Sequence, residues 1–98
     1  NKGIFLHNRL REIQSKSNNR IRFVTGKGMV AALIFYTPET NKPDSEIASI
    51  ICEKAMKKGL LLIHTGRESI KISPPLSIPF DALEEGIEVL ESIIIKES

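Results

Sequence analysis

Ninety-eight residues, 41% hydrophobic and 27% charged, suffice for one small globular core and leave too few apolar side chains for a second. That balance excludes a disordered tail, a collagen-like rod and a disulfide scaffold, and a single cysteine, Cys52, permits no internal bridge. Fourteen Lys plus Arg against twelve Asp plus Glu leave a net charge of +2 without a basic stripe, so nucleic acid is not an expected partner; the longest apolar run, eight residues from Met29 to Tyr36, is far below the about 20 a membrane-spanning helix needs.

Leu6, Leu10 and Ile13 recur at helical spacing and predict an amphipathic helix over Ile4 to Ser17, with Ile4 and Phe5 off its stripe. Ser17-Asn18-Asn19 ends it as a turn. Ile21 to Val24 reads as a short alternating strand, and Thr25-Gly26-Lys27-Gly28 as a flexible corner. Met29 to Tyr36 has no polar alternation, so a strand there is apolar on both faces and belongs in a sheet interior. Thr37 to Pro43 reads as a loop. Asp44 or Ser45 then caps a helix that runs to Lys58 and stops at Gly59, with Ile47, Ala48, Ile51, Cys52 and Ala55 on one face.

Leu60 to Ile63 predicts a second two-faced strand, and His64-Thr65-Gly66 a turn. Ser69 to Ser73 alternates strictly, which places Ser69, Lys71 and Ser73 on its polar face with Arg67 at the same parity. Pro74-Pro75 ends that strand. A last helix follows Pro79 to about Lys96; Ala82, Leu83, Gly86, Ile87, Val89, Leu90, Ile93 and Ile94 form its apolar face, and Glu84, Glu85, Glu88 and Glu91 its wet side.

These elements predict an α+β two-layer domain: a mostly antiparallel sheet of three to four strands with about three helices, residues 1–19 a leading helix and 20–98 the sheet-and-helix core. The last two strands form a hairpin, and the middle helix is a crossover. Three helices could cover both sheet faces; the favoured expectation is that one face is left for another domain or subunit. The chain opens on Asn1 rather than Met and turns helical almost at once, which predicts that it was cut from something longer. No secretion signal opens it, and the lone thiol suits a reducing, cytoplasmic compartment.

No nucleophile with a base and no paired carboxylates stand out, so the 98 residues are not expected to be active by themselves. His7 and His64 read as surface or hydrogen-bonded residues, Cys52 as an inert core thiol, and one Cys with two distant His residues makes no structural zinc site. Gly26-x-Gly28 lacks the third glycine of a dinucleotide loop and the ending of a P-loop, and is followed by a strand; a tight corner and the lip of a substrate entrance remain as its readings. Lys71 is the most informative ionisable group. It is either an exposed sheet lysine or, if its face fronts a cleft, a fixed cation for a carboxylate.

Gly26-Lys-Gly28-Met-Val-Ala-Ala-Leu-Ile-Phe, Ile51-Cys-Glu-Lys-Ala-Met-Lys-Lys-Gly59-Leu-Leu-Leu, Ile70-Lys-Ile-Ser-Pro-Pro-Leu76 and Leu83-Glu-Glu-Gly86-Ile-Glu-Val-Leu90 together resemble the carboxy-terminal small domain of class III pyridoxal-phosphate aminotransferases, the group of the 4-aminobutyrate, ornithine and acetylornithine enzymes. The resemblance spans nearly the whole chain in order. It implies a homodimeric parent enzyme that moves an amino group from an amino acid or ω-amino acid to a keto acid, with pyridoxal 5'-phosphate held by a Schiff-base lysine in a large domain outside these residues. It also implies a carboxylate-clamping arginine where this chain has Lys71, a departure that loosens substrate orientation; Arg67, Gly26 and Gly28 are further substrate-side candidates. The same family holds epimerases and decarboxylases, and a free-standing small-molecule binding module is the reading from another class.

Overall fold

The structure is a computed structural model and describes residues 1–59 and 63–97. Three helices and five strands follow in the order α1 (Lys2–Ser15), β1 (Ile21–Lys27), β2 (Val30–Thr37), β3 (Lys42–Pro43), α2 (Ser45–Lys57), β4 (Ile63–Thr65), β5 (Ser69–Ile72) and α3 (Phe80–Glu97). The strands lie in the order β1-β2-β5-β4, all neighbours antiparallel, with the two-residue β3 beside the far end of β2. The α+β architecture is therefore the expected one. The fifth strand is an addition: Thr37 to Pro43, read as a loop, turns back so that Lys42 and Pro43 pair with Thr37 and Tyr36.

β2 is the hinge of the design. Ala31, Leu33 and Phe35 are fully buried, while Val30, Ala32, Ile34 and Tyr36 on its other face are half-buried or exposed. The core lies on the first of these faces. There Ile21, Ile63, Ile70 and Ile72 join Leu6, Leu10 and Ile13 of α1, Ile47, Ala48, Ile51 and Ala55 of α2, and Leu83, Ile87, Leu90 and Ile94 of α3 in a single cluster. Fully burying one such side chain contributes about 1.5 to 3 kcal/mol. The core-facing helical residues pack on that side, so the helices form one layer and the opposite sheet face is bare, which is the arrangement favoured over helices on both faces.

Two of the three helices start at a side-chain cap. The Asn1 side chain accepts from the Ile4 N–H at 3.0 Å, and Asp44 accepts from the Ile47 N–H at 3.1 Å. Gly59, at φ +89°, follows the end of α2.

Several expectations are corrected in detail. β1 runs through Lys27, so Gly26 is a strand residue and the connection to β2 is a tight two-residue turn at Gly28-Met29. A register shift between Ile21 and Phe23 interrupts the alternation; Ile21 stays in the core opposite Phe35, whereas Phe23 falls opposite Ile34 on the bare face. His64 and Thr65 belong to β4 rather than to a turn, and the strand expected over Leu60–Ile63 falls largely on residues 60–62, outside those described. Glu91 is not a wet-face residue, because it joins Arg9 and Lys16 of the first helical segment. The His7 side chain is neither exposed nor hydrogen-bonded among the described residues: it is 8% exposed, and its Nε2 has no partner there.

No helix among the described residues is long and apolar enough to cross a membrane. No cluster of three or more His, Cys, Asp or Glu side chains among them is arranged to hold a metal ion.

Candidate functional site

The candidate residue Lys71 lies on the bare sheet face. Strand register fixes its occupants: Thr25, Ala32, Lys71 and His64 form one row across β1, β2, β5 and β4. Phe23, Ile34 and Ser69 form the row beside it, and Lys27 opposite Val30 closes it at the hairpin. Since side chains alternate with period two, a residue paired with Ala32 must share its face, while Ile70 and Ile72 turn into the core. The polar parity of Lys71 was thus legible from the sequence, and it points away from the helices.

Lys71 stands exposed near the middle of this face, next to half-buried Ala32 and exposed His64. Its ammonium makes no hydrogen bond or ion pair among the described residues. The strand positions that share its face hold the cations Lys27 and Lys71 and no carboxylate. Phe23 is 49% exposed and Val30 44% exposed, large values for apolar strand residues. At the far end the Arg22 guanidinium lies 4.6 Å over the Tyr36 ring, and Phe23 meets the same ring edge-on at 6.4 Å between centroids. An apolar field with unpaired cations is what an acid-bearing ligand or a covering polypeptide would meet.

The other candidates lie apart from Lys71. Arg67 is in the β4–β5 turn, where strand parity no longer governs direction, and it lines a groove with Ser45, Glu46 and Ser49 at the start of α2. Gly26, near the end of β1, and Gly28, in the β1–β2 turn, lie beside the first turns of α1, where a hollow of about 450 Å³ is lined also by His7, Arg11 and Lys27. Gly26 is shaped by structure: at φ +105° a Cβ there would fall 2.3 Å from the Val30 carbonyl oxygen. Cys52 is buried, its thiol 3.8 Å from the Ile63 carbonyl oxygen and 4.0 Å from the Met56 sulfur. Sequence reasoning passed over His64 because it was assigned to a turn; only the register with Lys71 reveals its position.

The Aminotransferase class-III family model matches residues 1–94, and this chain belongs to that family. It is 34% identical over 93 residues to the mitochondrial acetylornithine aminotransferase of Saccharomyces cerevisiae, covering 95% of the chain and 20% of that protein. It is 40% identical over 84 residues to the 5-aminovalerate aminotransferase of Pseudomonas aeruginosa, covering 83% of the chain and 20% of that protein. A third relative, 33% identical over 94 residues, is the alanine/serine racemase of Pyrococcus horikoshii, with 94% of the chain and 19% of the relative covered. Among solved structures, the acetylornithine aminotransferase of Elizabethkingia anophelis superposes with a TM-score of 0.79 at 25% identity, over 94% of this chain and 22% of that one. The chain thus spans about a fifth of the length of the relatives it matches.

Proposed function

We propose that these residues are the carboxy-terminal small domain of a pyridoxal-phosphate-dependent class III aminotransferase, and that Lys71 binds a substrate carboxylate. The observation that carries this reading is Lys71 itself: an ammonium with no partner among the described residues, central on a bare and partly apolar face whose strand positions hold no carboxylate. The remaining polypeptide of the enzyme, its large domain, covers that face. Coverage of only about a fifth of each relative supports the existence of such a domain.

The described residues do not build a seat for the cofactor. A pyridoxal ring is held through a Schiff-base lysine and a charged partner for its ring nitrogen, and the face around Lys71 offers no acidic partner at its strand positions. On this reading the cofactor belongs to the large domain, where it would supply the electron sink for amino transfer. The duty of this chain is orientation. Lys71 donates to one oxygen of the substrate acid and so aims the amino end of an amino acid, or of an ω-amino acid such as 4-aminobutyrate, away from the sheet. A keto acid with its own carboxylate uses the same handle in the return half-reaction. An ammonium is a point charge rather than a planar fork, so it tolerates more than one carboxylate orientation. Lys71 moves no proton.

The racemase relative supports a second reading, in which the same small domain serves an amino-acid epimerase; Lys71 then has the same binding duty. A free-standing binding module is disfavoured by the exposed Phe23 and Val30, which leave apolar surface on the bare face. Family membership supports a homodimer, and the single buried thiol of Cys52 suits the reducing cytoplasm.

Steady-state kinetics on the full-length enzyme test the reading. Loss of a hydrogen bond to a charged group is worth about 10- to 100-fold in affinity, so Lys71→Ala should raise KM for the carboxylate-bearing substrate by that factor while Lys71→Arg retains binding. Unchanged kinetics with every amino acid and keto acid tested would refute it.

A further inference from the structure

We propose that His64 is a second carboxylate-binding residue, acting on the same substrate group as Lys71. The inference rests on the reading of Lys71 above and extends it to a neighbouring strand. β4 and β5 set His64 directly opposite Lys71. Directly opposed residues on antiparallel strands hold their Cβ atoms about 5 Å apart, on the same face. The next pair along the ladder, Ile63 and Ile72, is buried beneath the helices, so His64 and Lys71 must both stand on the bare side. Both are exposed, and the His64 side chain, like that of Lys71, has no hydrogen bond or ion pair among the described residues.

A carboxylate has two oxygens to satisfy, and the lysine ammonium orients only one of them firmly. An imidazole keeps at least one N–H in every protonation state, so His64 can donate to the second oxygen whether neutral or charged. Two side chains on adjacent strands then do together what one guanidinium does with its fork. Nothing acidic competes: the strand positions sharing this face bear no carboxylate. The other cations stand at other positions, Lys27 and Arg22 on β1 and Arg67 in the β4–β5 turn. Ala32, on the opposite side of Lys71, is too small to obstruct the approach.

The ligand class is the carboxylate end of an amino acid, ω-amino acid or keto acid. The test compares His64→Leu, His64→Gln, Lys71→Ala and the His64→Leu/Lys71→Ala double variant of the full-length holoenzyme. Each is assayed with whichever protein amino acid or ω-amino acid the unaltered enzyme converts fastest, and thermal unfolding is followed alongside. The expected result is a KM raised about tenfold in His64→Leu with kcat and the unfolding temperature little changed, recovery in His64→Gln, and a double variant less impaired than the product of the two single effects. If Lys71→Ala raises KM and His64→Leu does not, the proposal for His64 is overturned while the role of Lys71 stands. If neither variant moves KM, or the enzyme converts no such acid, the underlying reading fails and this inference goes with it.

Discussion

Arg9 of α1 and Glu91 of α3 meet at 3.0 Å, and the same carboxylate accepts from Lys16 at 3.1 Å, so one acidic side chain fastens the last helix to the middle and the C-terminal end of the first helical segment. Arg9 also reaches Glu12 at 3.1 Å. The Arg9 hydrogen bond is the chief cause that holds the Glu91 carboxyl below its ordinary value of 4.5, against partial burial and with help from Lys16. A carboxyl depressed in the folded state stabilises fully above its unfolded pKa and loses that contribution as pH falls through the lower folded value. Glu91→Gln should therefore cost about 1 kcal/mol at neutral pH and flatten the fall in urea midpoint below about pH 4.5. An unchanged acid profile would contradict the role assigned to this carboxylate.

Asp44 joins three elements. It caps α2 through the Ile47 N–H, accepts from the Thr37 hydroxyl at 3.1 Å and faces Arg20 at 3.5 Å. Asp44→Ala should lower stability by about 1 to 2 kcal/mol, with Asp44→Asn recovering the cap portion. Denaturant titration of both variants reads the difference.

Gly26 and Gly28 separate two costs. Both have positive φ, but a Cβ on Gly26 would collide with the Val30 carbonyl oxygen, while one on Gly28 meets open space. Gly28→Ala should cost about 1 kcal/mol from backbone strain, and Gly26→Ala about 3 kcal/mol or more because the hairpin must also deform. Equal effects in thermal unfolding would show that the clash is relieved at little cost.

Val30 and Ile34 lie on the face assigned to the large domain. Val30→Asp should weaken the full-length enzyme markedly, by a few kcal/mol if the side chain is buried there, and should hardly affect the 98-residue chain. A similar small effect in both would mean that the face is bare in the intact enzyme too.

The three helices were legible because each buries a simple stripe: Leu6, Leu10 and Ile13, then Ile47 to Ala55, then Leu83 to Ile94. Met29 to Tyr36 showed by its lack of alternation that both strand faces are apolar; that all three helices lie on one of them emerged only from the fold. What was hidden depends on nonlocal geometry. The bulge that reverses Phe23 arises from pairing with β2, and the partnership of Glu91 with Arg9 spans most of the chain, beyond any local period. His7 lies only slightly off the α1 stripe, yet the close approach of the β1–β2 turn buries it. For the site, parity found Lys71 on its strand but failed for Arg67, which is past the strand end, and could not place His64 before its register was known.

The most direct measurement is the distance from the Lys71 Nζ to a bound carboxylate in a crystal structure of the full-length enzyme with an amino acid or keto acid trapped at the cofactor. Contact at about 3 Å, with the large domain seated on the Phe23–Ile34–Lys71 face, is the expected result. A carboxylate held entirely by other residues, with Lys71 pointing into bulk water, would contradict the assignment of this face as the substrate side of the domain.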